Sequence, residues 1–168
     1  RFRLLTPMRQ GIFGVDSLNS AINSAFDRHS EHSIVRIVPI MIVENSRSKD
    51  LFNGEVGLIV REPGEETADC YALFPSRDER LGVRRIPSLL LPKYELAYCM
   101  TVHKSQGSEF DNVLLLLPEG AQAFGREGLY TGVTRAKKKL EVWSRPEIIA
   151  SMVKRQALRH SGIEGRLL

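Results

Sequence analysis

Residues 34–92 break the pattern of everything around them, and that interruption constrains the fold more than any other feature of the sequence. Within this stretch, Ile34–Val35, Ile37–Val43, Val56–Val60, Tyr71–Phe74 and Leu89–Leu91 are short apolar runs separated by turn formers, the pattern of several short strands. On either side the chain alternates strand and helix. Phe2–Leu5 reads as a strand and is followed by a Gly-bearing loop. Val15, Leu18, Ile22, Ala25 and Phe26 then recur at helical spacing, with Asp16 or Ser17 available as the cap. The alternation returns with strands at Leu96–Val102 and Val113–Leu117, a helix over Arg126–Ala136 and a strand at Leu140–Trp143. A last amphipathic helix opens at Pro146 and runs through Ile148, Ile149, Met152 and Val153. The expected topology is an α/β lobe of residues 1–33 and 93–168, interrupted by a β-rich insertion over 34–92. Such an insertion is tolerated because loop closure grows only slowly in cost with length. Asn53-Gly54 predicts a type I′ turn joining the second and third runs, since both residues tolerate positive φ.

Composition narrows the classes. With 42% hydrophobic residues among 168, the chain buries a core of about one ordinary domain. The apolar run Val113–Leu117 is far short of the roughly 18 residues of a spanning helix, so no membrane is expected as a partner. No amino-terminal h-region or cleavage site suggests export, so export is not expected. Cys70 and Cys99 form no Cys-x-x-Cys pair and the four histidines lack metal-ligand spacing, so neither a disulfide framework nor a metal site is expected and the location expected is cytoplasmic. His29, His32 and His160 read as surface residues, and Trp143 and Cys99 as core. The formal charge of +4 hides an asymmetry: residues 126–168 carry 10 basic and 4 acidic residues, a balance of +6, which suits a polyanionic partner or a solvated basic face.

Two clusters carry chemical side chains. Thr101-Val102-His103-Lys104-Ser105-Gln106-Gly107-Ser108-Glu109-Phe110 follows a strand, where ligands of open α/β sheets bind and where hydroxyls and backbone N–H groups meet phosphates. The same residues also suit a plain surface turn capped by Ser105 and ended by Gly107. The second cluster is Leu129-Tyr130-Thr131-Gly132-Val133-Thr134-Arg135-Ala136-Lys137. Leu129, Val133 and Ala136 line one face of the expected helix, and Arg135 projects from another. There its guanidinium suits either a phosphoryl group or the helix's own carboxyl end.

In their order and spacing these clusters resemble motifs V and VI of superfamily 1 DNA helicases. Leu5-Thr6-Pro7-Met8-Arg9-Gln10-Gly11-Ile12-Phe13-Gly14-Val15, followed by Leu18-Asn19, is similar to motif IV of their RecD branch. Leu51-Phe52-Asn53-Gly54-Glu55-Val56-Gly57 resembles that branch's inserted β-domain, and Arg159-His160-Ser161-Gly162-Ile163 its carboxyl end. The resemblance implies the second RecA-like lobe of an ATP-dependent 5′→3′ helicase, P-loop NTPase-like but without a P-loop, with 34–92 as an SH3-like small β-barrel. It also implies a subunit of exodeoxyribonuclease V in double-strand-break recombinational repair, alongside RecB-like and RecC-like subunits, with the nuclease elsewhere. Carried over, Arg135 is the arginine finger on the γ-phosphate of ATP and Arg9 a second phosphate-sensing arginine. Gly107 and Glu109 lie beside the nucleotide, and Thr101, His103, Lys104 and Ser105 face single-stranded DNA. One loop then touches both ligands, so that closing the cleft on ATP alters the grip on the strand.

No Gly in the chain is followed by Lys, and Val113–Leu117 ends in Pro118-Glu119 rather than an acidic pair. The phosphate cradle and the Mg²⁺-binding acids are therefore expected in a preceding lobe of a longer chain. The competing expectations are a non-enzymatic adaptor that binds nucleic acid or protein, and a RecD-like helicase acting outside a RecBCD complex. The acidic segment 61–69 is expected as a hairpin tip directed away from DNA, and Arg84-Arg85 as a contact to DNA or to a partner subunit.

Overall fold

The computed structural model describes residues 2–29, 35–62, 70–76 and 82–155. The readings that rest on Ile34, residues 63–69, His32, His160 and the tail 159–163 lie outside the described residues, as does the side chain of His29. Elements in chain order are β1 (Phe2–Thr6), α1 (Val15–His29), β2 (Arg36–Ile42), β3 (Val56–Arg61), β4 (Tyr71–Pro75), β5 (Val83–Pro87), β6 (Tyr94–Leu96), β7 (Cys99–Thr101), β8 (Phe110–Leu117), α2 (Gly125–Val133), β9 (Ala136–Ser144) and α3 (Pro146–Lys154). The strands form a four-stranded sheet, order β7-β1-β8-β9, and a five-stranded sheet, order β5-β4-β3-β2-β6.

Packing divides the described residues into two units, one running up to Arg9 and resuming at Thr101, the other Gln10–Met100. Those bounds differ from the expected ones at 33/34 and 92/93, and the reason lies in Asn19. Its buried side-chain amide donates to the carbonyls of Leu96 (2.8 Å) and Cys99 (3.1 Å) and accepts the Cys99 N–H (2.8 Å). These bonds hold α1 to the segment 96–99. The strand expected over Leu96–Val102 is thereby two strands, of which β6 pairs with β2 in the five-stranded sheet. Phe26 of α1 stacks on Tyr98, centroids 5.7 Å apart, and Asp27 pairs with Arg36. The cap of α1 is Gly14, whose carbonyl accepts the Leu18 N–H at 3.0 Å, rather than Asp16 or Ser17.

The core of the second unit is Ile40, Ile42, Leu51, Ile59, Cys70, Ala72 and Phe74. Gly57 is required there, because a Cβ would lie 2.5 Å from the Phe74 ring. The described strands make a five-stranded antiparallel sheet with β5 and β6 at its edges. Gly54 turns the chain with φ +91 while Asn53 keeps a negative φ, and Glu55 N–H returns to Phe52 O at 3.0 Å. That is the geometry of a type II turn, not type I′.

In the other unit β1, β8 and β9 run parallel. Phe110, Val113, Leu115 and Leu117 alternate into the core. Helix α2 approaches β8 closely through Gly132, where a Cβ would lie 2.9 Å from Leu115 Cδ1. Helix α3 starts at Pro146 as expected and buries Ile148 and Met152. Trp143 is not core: on the outermost strand β9 it is 57% exposed, its indole N–H donating to Glu141 Oε1 at 3.0 Å. Cys99 is buried, as expected of a small hydrophobe.

Candidate functional site

Between β7 and β8 the chain makes one compact turn with two chemically different sides. Thr101 starts it: its Oγ1 accepts the Lys104 N–H at 3.2 Å and its carbonyl the Ser105 N–H at 3.1 Å. Gly107, with φ +81, lets the chain leave, and Ser108 N–H bonds Ser105 O at 3.1 Å. Val102 and Ser105 are buried, whereas His103, Lys104, Gly107, Ser108 and Glu109 are exposed. Ser105 is therefore not an outward-facing residue. Its hydroxyl donates to Val102 O at 2.7 Å inside the fold, which commits its single proton. Thr101 Oγ1 acts as an acceptor within the turn and keeps its own proton for an outside acceptor. The His103 ring is tilted against that of Phe124, centroids 6.2 Å apart.

Arg135 stands just past the end of α2, because the helix stops at Val133 instead of running to Ala136. Its backbone is fixed on both sides, N–H to Gly132 O at 3.3 Å and carbonyl accepting Phe110 N–H at 2.8 Å. The side chain folds back: Nε donates to Thr131 O (3.0 Å), Nη1 to Ser108 O (3.0 Å) and Nη2 to Thr134 Oγ1 (3.1 Å). It thus satisfies a carbonyl at the helix end, where positive charge suits the dipole. A guanidinium carries five N–H groups, and these three bonds leave one on each terminal nitrogen for a further acceptor. Its three partners are all uncharged oxygens.

The structure brings Gly107, Ser108, Glu109 and Arg135 to one end of the parallel strands, where β8 and β9 begin as Phe110 pairs with Ala136. Arg9 is at the other end. It follows the last residues of β1, which run alongside Leu114 and Leu115 toward the end of β8. Phe110–Leu117 puts roughly 23 Å of strand between the two arginines at about 3.3 Å per residue. Thr101 and His103 share the end that holds Arg9, since Val102 N–H bonds Thr6 O at 3.0 Å.

Three lysines of the basic carboxyl-terminal stretch are compensated in space. Lys137 pairs with Glu109 (3.0 Å), Lys138 with Asp111 (3.0 Å) and Lys139 with Glu141 (3.8 Å). None of this was legible in a count of charges, because the acids sit on a neighbouring strand or alternate with the lysines. Glu109 meets Lys137 through one carboxylate oxygen and retains lone pairs for a hydroxyl donor. Among the described residues no group of His, Cys, Asp and Glu is placed to hold a metal ion, and no helix is long and apolar enough to cross a membrane.

A family model described as the UvrD-like helicase C-terminal domain matches residues 96–142, a span that contains the turn and Arg135. The RecBCD enzyme subunit RecD of Haemophilus influenzae is 35% identical over 173 residues, covering 99% of this chain and 25% of that protein. The ATP-dependent RecD2 DNA helicase of Deinococcus radiodurans is 29% identical over 143 residues, covering 80% and 19%. Among solved structures, the Pif1 helicase from Bacteroides in complex with ADP-AlF3 and ssDNA has a TM-score of 0.54 at 14% identity, over 99% of this chain and 44% of that one. That is a likeness of fold. The chain spans a quarter or less of the length of these two relatives. Over nearly its whole length it is a homologue of the RecD subunits of RecBCD enzymes, with a fold like that of part of a Pif1 helicase.

Proposed function

We propose that this chain is the C-terminal region of a longer ATP-driven DNA translocase of the RecD type, and that its two strand ends divide the work. The nucleotide end holds Gly107, Glu109 and Arg135. A nucleotide bound there supplies the phosphoryl group that is transferred. Arg135 donates its two remaining N–H groups to the γ-phosphate oxygens and offsets charge that grows in the transition state, while Glu109 accepts from a ribose hydroxyl. The other end, with Thr101, His103 and Lys104, faces the phosphates of single-stranded DNA. Arg9, placed at that end, belongs to the strand side in this reading and not to the nucleotide.

The observation that carries the reading is Arg135 itself: a guanidinium held in place by three neutral acceptors, with two donors left and, among the described residues, no carboxylate paired with it. The residues present fit one side of a nucleotide only. Without a Gly-Lys pair in the chain, the phosphate cradle and Mg²⁺ fall to the rest of the longer protein. The isolated chain is accordingly expected to hydrolyse ATP negligibly, and DNA-stimulated turnover above that of an Arg135→Ala control would contradict this. The RecD relatives are named as subunits of RecBCD enzymes, which supports RecB-like and RecC-like partners; a role in recombinational repair is part of the same proposal. Co-purification of the full-length protein with such subunits is expected. The RecD2 relative supports the alternative of a helicase acting alone, which monomeric, partner-free unwinding activity would favour.

The test is single-strand-stimulated ATP hydrolysis by the full-length protein, wild type against Arg135→Ala. The expected result is a loss of about 10³-fold or more with DNA affinity retained. Unchanged turnover would refute the reading and favour a binding adaptor.

A further inference from the structure

We infer that Thr134 is a positioning residue that sets the direction of the Arg135 guanidinium, an inference that rests on the role of Arg135 proposed above. Thr134 Oγ1 lies 3.0 Å from Tyr130 O, 3.1 Å from Thr131 O and 3.1 Å from Arg135 Nη2. The polarity of this relay is forced by chemistry. Carbonyls only accept and a guanidinium only donates, so the threonine proton goes to a carbonyl at the end of α2 and an oxygen lone pair faces Nη2. Tyr130 and Thr131 are the residues four and three positions back, the two carbonyls that a threonine hydroxyl reaches from a helical backbone.

Three anchors fix the plane of the guanidinium. Nε is tied to Thr131 O, Nη1 to Ser108 O and Nη2 to Thr134 Oγ1. Two of them, Thr131 O and Ser108 O, are backbone atoms that no substitution removes. Among the described residues the hydroxyl of Thr134 is the one anchor supplied by a side chain. Without it Nη2 has no partner, and the group is free to tilt about the line joining its other two contacts. A planar fork offers two parallel N–H groups to phosphoryl oxygens only when its plane is correctly set. A misplacement of about 1 Å at such a contact lowers turnover by about a hundredfold.

The experiment uses strand-stimulated ATP hydrolysis and thermal melting of the full-length protein. Thr134→Val removes the hydroxyl at nearly constant shape, Thr134→Ala removes it with loss of bulk, and Thr134→Ser retains it. Both hydroxyl-free variants are expected to lose about tenfold to a hundredfold in kcat, with KM for ATP and the melting midpoint close to wild type, and Thr134→Ser to recover most of the loss. Because Thr134 closes α2, whichever hydroxyl-free variant melts like wild type is decisive. Wild-type kcat in that variant beside an inactive Arg135→Ala overturns this inference alone, as does Thr134→Ser being as slow as Thr134→Val. An Arg135→Ala variant with wild-type turnover overturns the role of Arg135 and this inference with it.

Discussion

Arg84 and Arg135 are both arginines that fold back on main-chain carbonyls, in different units of the molecule, and they differ in what else they meet. Arg84 Nη1 donates to Asp50 O at 2.6 Å and Nε to Pro75 O at 3.3 Å, but it also faces the carboxylates of Asp50 (3.4 Å) and Glu55 (3.3 Å). Its side chain is only 20% exposed. Among the described residues Arg135 meets carbonyls and a hydroxyl alone. A guanidinium whose charge is answered by carboxylates is a clasp; one whose charge is unanswered has attraction left for an anion. Arg84, read from sequence as a contact to DNA or a partner, is thus occupied by its own unit. Its neighbour Arg85 is exposed and lies over the Tyr71 ring at 3.5 Å.

Substitutions can break or sharpen this contrast. The largest stability effect is expected for Arg84→Met, which leaves Asp50 and Glu55 without their shared cation: about 1.5–3 kcal/mol by urea denaturation, with strand-stimulated turnover unchanged below the melting transition. A stability change under 0.5 kcal/mol would erase the distinction from the Arg84 side. Gly132→Ala comes next, at about 1–3 kcal/mol from overpacking against Leu115. Because it pushes on the helix that carries Thr131 and Thr134, it is expected to slow turnover as well. Arg135→Met is expected to cost only about 1 kcal/mol of stability, its loss being one of activity. The smallest effect belongs to Lys137→Met. Its pair with Glu109 is more than half exposed on both sides, so less than about 1 kcal/mol is at stake, and a larger value would mark Glu109 as depending on it.

How much of this was legible in the sequence depended on whether a feature is local. β1, β8 and α3 follow from apolar spacing and from Pro146 at a helix start, and the structure bears them out. The division of Leu96–Val102 was not legible, because it is made by Asn19, roughly 80 positions away, bonding the chain at Leu96 and Cys99. Nor was the early end of α2: helical spacing continues to Ala136, but Phe110 claims the Arg135 carbonyl for the sheet. Motifs are read in one dimension and carry no sign of where Arg9 and Arg135 stand on the sheet. Parallel pairing of β1 with β8 puts them at opposite ends. Ser105 was misread for a similar reason, since a serine between polar neighbours gives no sign of which way a one-turn loop faces. Gly107 and Glu109 flank Ser108, whose carbonyl accepts from Arg135, at a strand start that both clusters share.

The most direct measurement compares strand-stimulated ATP hydrolysis of the full-length protein carrying Arg135→Ala with the same protein carrying Arg84→Met, each with its affinity for single-stranded DNA. The account predicts a loss of about 10³-fold or more for Arg135→Ala at nearly unchanged DNA affinity, and turnover within about threefold of wild type for folded Arg84→Met. Equal turnover in the two variants would contradict it, since an unanswered charge would then have no more part in the reaction than a compensated one.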